Sequence, residues 1–314
     1  MIARWDEGGE VEVTQSVSAM AKAGAVPHLA VYGAAAFAVV VWTGTPVVTK
    51  LAVNAFEPLL VGVLRSALAG LAVVPLVAFA RLPYPRALGD VVLLVASALC
   101  GFVVFPIIFA VGLRYTSASH AALILVAQPV FTGTIAALVE RRFPGALWLL
   151  GCAVACAGEV ALIGLRLGLS GGGSFWGDLM IIAGGLSASA GYVAGSKLSL
   201  RIGTWATTLW GNLVGGIVML VPLALWGRDA AWGEATLKVW AALAYLALFS
   251  SIIGYIAWYW ALARGGIARI GAAQFAMPVG SVLLAVLVLG ERLTLPLALA
   301  GFVILGGIWL AQRR

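Results

Sequence analysis

Along the chain, long apolar stretches alternate with short breaks that carry charges, glycines and prolines. A helix needs about 20 mostly apolar residues to cross ~30 Å of hydrocarbon. Cutting the 314 residues at the breaks predicts ten such helices, over approximately 28–49, 57–79, 88–111, 117–139, 145–165, 175–196, 203–226, 237–260, 266–289 and 294–311. No break is long enough for an extramembrane domain. The expected fold is therefore an all-α membrane protein, one bundle of ten transmembrane helices. Residues 1–27 contain Asp6, Glu7, Glu10 and Glu12 with no basic n-region, which reads as a cytoplasmic tail rather than a cleaved signal. Residues 170–174, Ser-Gly-Gly-Gly-Ser near the midpoint, read as a flexible linker between residues 28–169 and 175–314.

Composition narrows the class further. Hydrophobic residues make up 63% of the chain, charged residues 10%, and mean hydropathy is +1.08. A soluble domain carries roughly 25% charged residues, so no water-facing surface fits this chain. Disorder, a disulfide-stapled secreted scaffold and a nucleic-acid-binding domain are excluded together. The net charge of +7 is explained by basic loops on one membrane face. With the amino terminus inside, the inner loops hold twelve Lys and Arg and the outer loops six, with Arg65 alone inside a span. The positive-inside rule then places both termini in the cytoplasm.

Enzyme and metal signatures are sparse. Cys100, Cys152 and Cys156 all lie in apolar segments and read as small buried hydrophobes. Two histidines, His28 and His120, cannot build a multi-His site. Gly168-Leu169-Ser170-Gly171-Gly172 matches a nucleophile elbow in letters only, because it lies in the linker and not between strand and helix. No P-loop and no H-E-x-x-H motif occurs. No cofactor and no metal is expected.

A shift of about 147–151 positions brings the two halves into register. Gly44 falls on Gly191, Lys50-Leu51 on Lys197-Leu198, Pro75 on Pro222, Leu113 on Leu262, and Pro129-Val130 on Pro278-Val279. Glu140-Arg141 follows on Glu291-Arg292 after a two-residue offset. Five helices per half is an odd number, so the second half must cross in the opposite sense. Such inverted repeats place a binding site near the midplane between the halves.

These residues resemble the drug/metabolite transporter superfamily, specifically its EamA-type ten-helix carriers. Pro129 to Glu140-Arg141 with Gly151 and Gly158 looks like one copy of that family's pattern. Pro278 to Glu291-Arg292 with Gly301, Gly306 and Gly307 looks like the other. Arg65, preceded by Pro58, resembles an arginine frequent in the family's second span, whereas Glu159 departs from a usually apolar position. The resemblance covers about residues 28–312 and implies a secondary carrier.

Several groups are candidates to line its substrate path. Arg65 is an intramembrane charge and a default functional candidate, either meeting a substrate carboxylate or serving a structural ion pair. Trp42, Thr43 and Thr45 beside Gly44 and Pro46 form a kinked polar patch, with Ser187, Ser189 and Tyr192 as its counterpart. Gly191 and Gly195 make a small-xxx-small surface for close helix contact. Phe102, Phe105 and Phe109 read as one stripe, and Ser251, Tyr255 and Trp258 as another that the repeat brings opposite. Lining one cavity, these stripes would let Ser251→Trp obstruct it without unfolding the protein and Phe102→Ala widen it. Gln128 and Gln274 adjoin the matched prolines, which read as mid-span kinks together with Pro46. Glu159 and His120 are candidates for proton coupling, each with a structural alternative.

The expected function is export of small organic metabolites by alternating access, with amino acids as the class the resemblance implies. One interior cation among aromatics and hydroxyls suits an apolar or modestly polar amino acid. A nucleotide-sugar or sugar-phosphate carrier would want several cations. A lipid-precursor flippase and a membrane-embedded enzyme remain alternatives. The expected partners are a small-molecule substrate and the bilayer of the cytoplasmic (inner) membrane, with no nucleic acid, in a monomer or weak homodimer.

Overall fold

A computed structural model describes residues 27–53, 55–112, 115, 125, 127–142, 144–167, 175–230, 232–277, 280 and 295–313. Among these residues the regular structure is helical throughout, without a strand. The α-helices are α1 His28–Thr43, α2 Thr45–Val53, α3 Pro58–Phe79, α4 Leu88–Ala98, α5 Phe105–Gly112, α6 Gln128–Glu140, α7 Ala146–Leu167, α8 Phe175–Ile202, α9 Thr204–Trp226, α10 Leu237–Ala244, α11 Gly254–Gly265, α12 Ile267–Gly271 and α13 Leu295–Ala311. Among the described residues, five stretches are long and apolar enough to cross a membrane: Pro58–Phe79, Leu88–Phe109, Phe175–Ile202, Thr204–Trp226 and Leu237–Gly265. Shorter apolar helices run over His28–Thr43, Ala146–Gly158 and Ala298–Ala311. Residues 170–174, His120 and Pro278 fall outside the described residues, as do the side chains of Pro46 and Glu159.

Local sequence explains where the helices stop and bend. Pro58 opens α3 at its first turn, where its missing N–H leaves no bond unmade. Thr43 and Thr45 flank the break at Gly44, so the predicted first span is two helices. Pro129 is described from the α6 side only, since most of the segment before Ala127 lies outside the described residues. It sits in the first turn of α6, where a proline needs no internal partner. The predicted ninth span does not open as one α-helix either, because α12 passes at Ala272–Ala276 into a 3₁₀ turn.

Two spans contain wide π-helical turns, Leu99–Val104 between α4 and α5, and Tyr245–Ile253 between α10 and α11. A shift of 149 carries Leu99–Val104 onto 248–253, so both halves widen at the same place. The packing is reciprocal as well. Helices α3 and α9 pack together, as do α7 and α13, and each pair is related by the repeat shift. Gly151 faces Ala311, Ala155 faces Gly307, and Gly158 faces Ile304. Residue numbers rise on α7 as they fall on α13, so this repeat-related pair is antiparallel. The 149-residue shift also exchanges the contact Gly158–Ile304 with Gly307–Ala155. Near the centre, Gly191 lies against the backbone of Gly101, where a Cβ would come within 2.8 Å of its nitrogen.

The two ends of the bundle differ in their contacts. At one end Asp90 pairs with Arg201 at 2.5 Å, and the Trp210 indole donates to the Pro83 carbonyl at 3.0 Å. At the other, Phe56 packs on Trp232 and Trp240 with centroids 5.3 and 6.1 Å apart.

Candidate functional site

The centre of the molecule is organised around one cation. Arg65, in the first half of α3, donates from Nε to Ser251 Oγ at 2.9 Å and from Nη2 to Ser250 Oγ at 3.0 Å. Both serines sit in the π turn Tyr245–Ile253. That turn is fixed from two neighbouring helices and by a bond of its own. The Trp42 indole donates to the Ser250 carbonyl at 3.0 Å, the Asn212 amide to the Ser251 carbonyl at 3.0 Å, and Ser251 Oγ to the Leu246 carbonyl at 2.9 Å. Thr45 Oγ1 lies 3.3 Å from Ser250 Oγ. The Tyr245 hydroxyl donates to the Val41 carbonyl at 2.7 Å, tying α1 to the same turn.

Arg65 uses two of its five N–H donors in this way. Among the described residues Nη1 has no partner, and Arg65 makes no ion pair with a carboxylate. Its side chain is only half-buried, unlike the serines that hold it. The free edge of a guanidinium is suited to a planar carboxylate, which two parallel N–H groups can bind together.

Beside this cation lies a closed aromatic cluster. Trp42 stacks on Tyr192 at 5.8 Å and meets Tyr255 and Trp258 edge-on, each at 5.4 Å. Tyr255 also touches Phe102 at 4.5 Å and Tyr259 at 5.3 Å. These offset and edge-to-face contacts suit the ring quadrupoles. All six side chains are buried. Tyr259 hydrogen-bonds Ser97 at 2.9 Å, while the Trp258 indole N–H is buried without a partner. Gln274 is buried beside the Tyr192 hydroxyl, with its Oε1 unpartnered.

The structure therefore brings Trp42, Thr45, Arg65, Tyr192, Ser251, Tyr255 and Trp258 together, with Phe102 and Gln274 at the edge. Other expected residues lie elsewhere. Phe109 packs on Phe105 at 5.5 Å, beside Gly184 of α8 and away from Trp258. The stripe fails because the π turn at Leu99–Val104 changes the angle between Phe102 and Phe109 from that of a regular helix. Phe102 and Ser251 do not line an open cavity, being 3% and 2% exposed. Ser189 accepts from Thr132 at 3.0 Å and donates to the Gln128 carbonyl at 3.3 Å, which joins α6 to α8. The Gln128 Nε2 is buried without a partner. Cys152 packs in a separate apolar cluster with Trp148 and Ile304.

Sequence reasoning missed Ser250 and Asn212. Asn212 was legible twice over, as an amide inside an apolar span and as the position onto which a 147-residue shift carries Arg65. Both repeat mates bind Ser251.

Known proteins agree with this architecture. Residues 29–164 and 175–312 each match the EamA-like transporter family. An uncharacterized transporter of Bacillus subtilis, YdeK, is 31% identical over 256 residues, covering 81% of this chain and 87% of its own. The Escherichia coli K12 uncharacterized inner membrane transporter YedA is 30% identical over 166 residues, 53% of this chain and 52% of its own. A crystal structure superposes with a TM-score of 0.75 at 22% identity, covering 91% of this chain and 97% of that one, which shows the shared fold. With both halves matched, the chain is a multi-pass membrane protein and belongs to the EamA-like transporter family.

Proposed function

We propose that this transporter is a secondary carrier that exports small organic metabolites, amino acids foremost, across the cytoplasmic membrane by alternating access. One observation carries the reading. Arg65 is presented by Ser250 and Ser251 with a free guanidinium edge and no carboxylate partner among the described residues. A single cation held by neutral hydroxyls matches one substrate carboxylate. A sugar phosphate would call for more positive charge than this centre supplies. Ring faces and hydroxyls around it suit an apolar or modestly polar remainder.

The reciprocal, antiparallel packing of repeat-related helices supports two opposed halves rocking about this centre. The closed aromatic cluster then blocks the path on one side of Arg65. The decisive experiment loads liposomes containing the purified protein with leucine, threonine or phenylalanine and follows efflux, with and without a pH gradient. Efflux of unaltered amino acid that disappears in Arg65→Ala supports the reading. Efflux unaffected by that substitution, or covalent change of the cargo, would sink it.

A further inference from the structure

We infer that a second zwitterion-binding subsite lies at the mouth of the bundle where α6, α8 and α11 end, separate from Arg65. The inference rests on the amino-acid reading above and extends it. A pocket of about 360 Å³ opens there. That volume lies within the range of small-molecule sites. Its polar lining comes from Glu140, Ser196, Lys197 and Arg201, and Leu262 and Ile267 form its apolar floor.

The charges in this pocket are unusual in being left apart. Glu140 and Lys197 line the same space, yet neither forms an ion pair with any described residue. Arg201 is already held by Asp90. Ser196 is 1% exposed, and its Oγ is buried without a hydrogen-bond partner. A buried hydroxyl left unpaired is destabilising unless something completes it. One carboxylate and one ammonium across a small pocket complement a molecule carrying both an ammonium and a carboxylate, with the Ser196 hydroxyl buried behind them.

Backbone geometry sharpens the match. The pocket lies where the carboxyl ends of α6, α8 and α11 converge, and their exposed carbonyls favour an ammonium. Arg141 closes α6 in the left-handed conformation at φ 53°, with the Arg142 N–H reaching back to Ala137 O at 3.1 Å. That cap ends the helix at Glu140. Gly266, at φ 89°, makes the turn that forms the facing wall, a conformation that disfavours a side chain. Leu262 and Ile267 belong both to the pocket floor and to the core cluster containing Trp42, Tyr192 and Trp258. A zwitterion docked here therefore sits on a floor that is continuous with the aromatic cluster.

The test reads occupancy directly and without transport. In a background with Cys100, Cys152 and Cys156 replaced by Ala, Ala263→Cys places a thiol on the pocket wall. Its rate of modification by a hydrophilic maleimide is followed in nanodiscs, where both faces are accessible. At least one of leucine, threonine and phenylalanine should slow labelling. Leucinamide and N-acetyl-leucine, which lack the carboxylate and the ammonium respectively, should not. Glu140→Gln and Lys197→Met should each raise the protecting concentration at least about tenfold. Lys197→Arg should retain protection, and Arg65→Ala should leave it unchanged. Melting temperatures check that substitutions at exposed Glu140 and half-buried Lys197 and Ala263 do not unfold the protein.

No protection by any of the three amino acids overturns the subsite, and so does protection indifferent to Glu140→Gln and Lys197→Met. Protection lost in Arg65→Ala assigns binding to the central cation instead. Protection by glycerophosphoethanolamine alone identifies a lipid-headgroup pocket and equally overturns the proposal. Liposome efflux separates the two readings: efflux without protection removes only the subsite at the bundle mouth, whereas absence of amino-acid efflux removes the functional reading.

Discussion

Arg65 must hold a full charge within an apolar span, where an isolated arginine at mid-helix is disfavoured by about 2.5–3.5 kcal/mol on insertion scales. The protein offsets this with two serine hydroxyls from a π turn, and on the proposed function the remaining N–H donors serve the substrate carboxylate. Arg65→Ala should therefore abolish amino-acid efflux while melting temperature stays near that of the parent. Arg65→Lys should also fail, because one compact ammonium cannot reproduce a planar fork reaching Ser250, Ser251 and a carboxylate together. Efflux and melting curves on the same preparations check both. Ser251 behaves differently from the expectation drawn from its stripe. It is buried, accepts from Arg65 and donates to Leu246 O, so Ser251→Trp overfills a packed site. That strain is roughly 1–3 kcal/mol, and melting temperature should fall without a size-dependent loss of flux. Arg65, Trp42 and Tyr192 were legible in the sequence because a charge or a large polar ring inside an apolar span has few places to go. Ser250 was not, since a small hydroxyl in an apolar run resembles ordinary helix filler until the cation beside it is known.

At the scale of elements, the two π turns decide which side chains meet. Each adds about one residue to a turn of α-helix, which changes the facing of everything beyond it. A regular helical wheel put Phe102 and Phe109 on one face, and the turn at Leu99–Val104 separates them. The same effect at Tyr245–Ile253 turns Ser250 and Ser251 toward Arg65 while Tyr255 and Trp258 enter the aromatic cluster. Deleting Ile253 should convert this segment toward regular helix and rotate the serines by roughly 100° relative to Trp258. Transport should be lost although the chain remains helical by circular dichroism; retained transport would mean that the turn does not set the site. Close helix approach was better encoded. Gly191 and Gly195 were readable as a small-residue surface, and Gly191 does lie against Gly101. Gly191→Leu should lower the melting temperature strongly, because a Cβ 2.8 Å from a backbone nitrogen has no flexible atom to displace. Helix length was less legible: α8 runs on to Ile202, six residues past its predicted end at 196, since Lys197 and Arg201 mark a membrane boundary without stopping a helix.

For the whole molecule, contacts among the described residues gather several of the chain breaks into two groups. Pro83, Asp90, Glu140, Lys197, Arg201 and Gly266 gather at one end through the Asp90–Arg201 pair, the Trp210–Pro83 hydrogen bond and the shared pocket. Phe56, Trp232 and Trp240 gather at the other. Alternation of breaks between opposite ends is what an inverted pair of five-helix units requires, because an odd number of crossings reverses the sense of the second copy. The positive-inside rule predicts that the first end, with its excess of Lys and Arg, faces the cytoplasm. Two exposed positions test this arrangement in cells. In the cysteine-free background, Gly233→Cys should react with an impermeant maleimide added to intact cells, and Tyr84→Cys should react only after the membrane is opened. Both residues are solvent-exposed, so a failure to label reports sidedness and not burial. Labelling of both from outside would break the alternation and with it the inverted repeat. Exchange of the two patterns would keep the repeat but turn the molecule over, converting the Glu140–Lys197 pocket from a cytoplasmic mouth into an external one and the exporter reading into uptake.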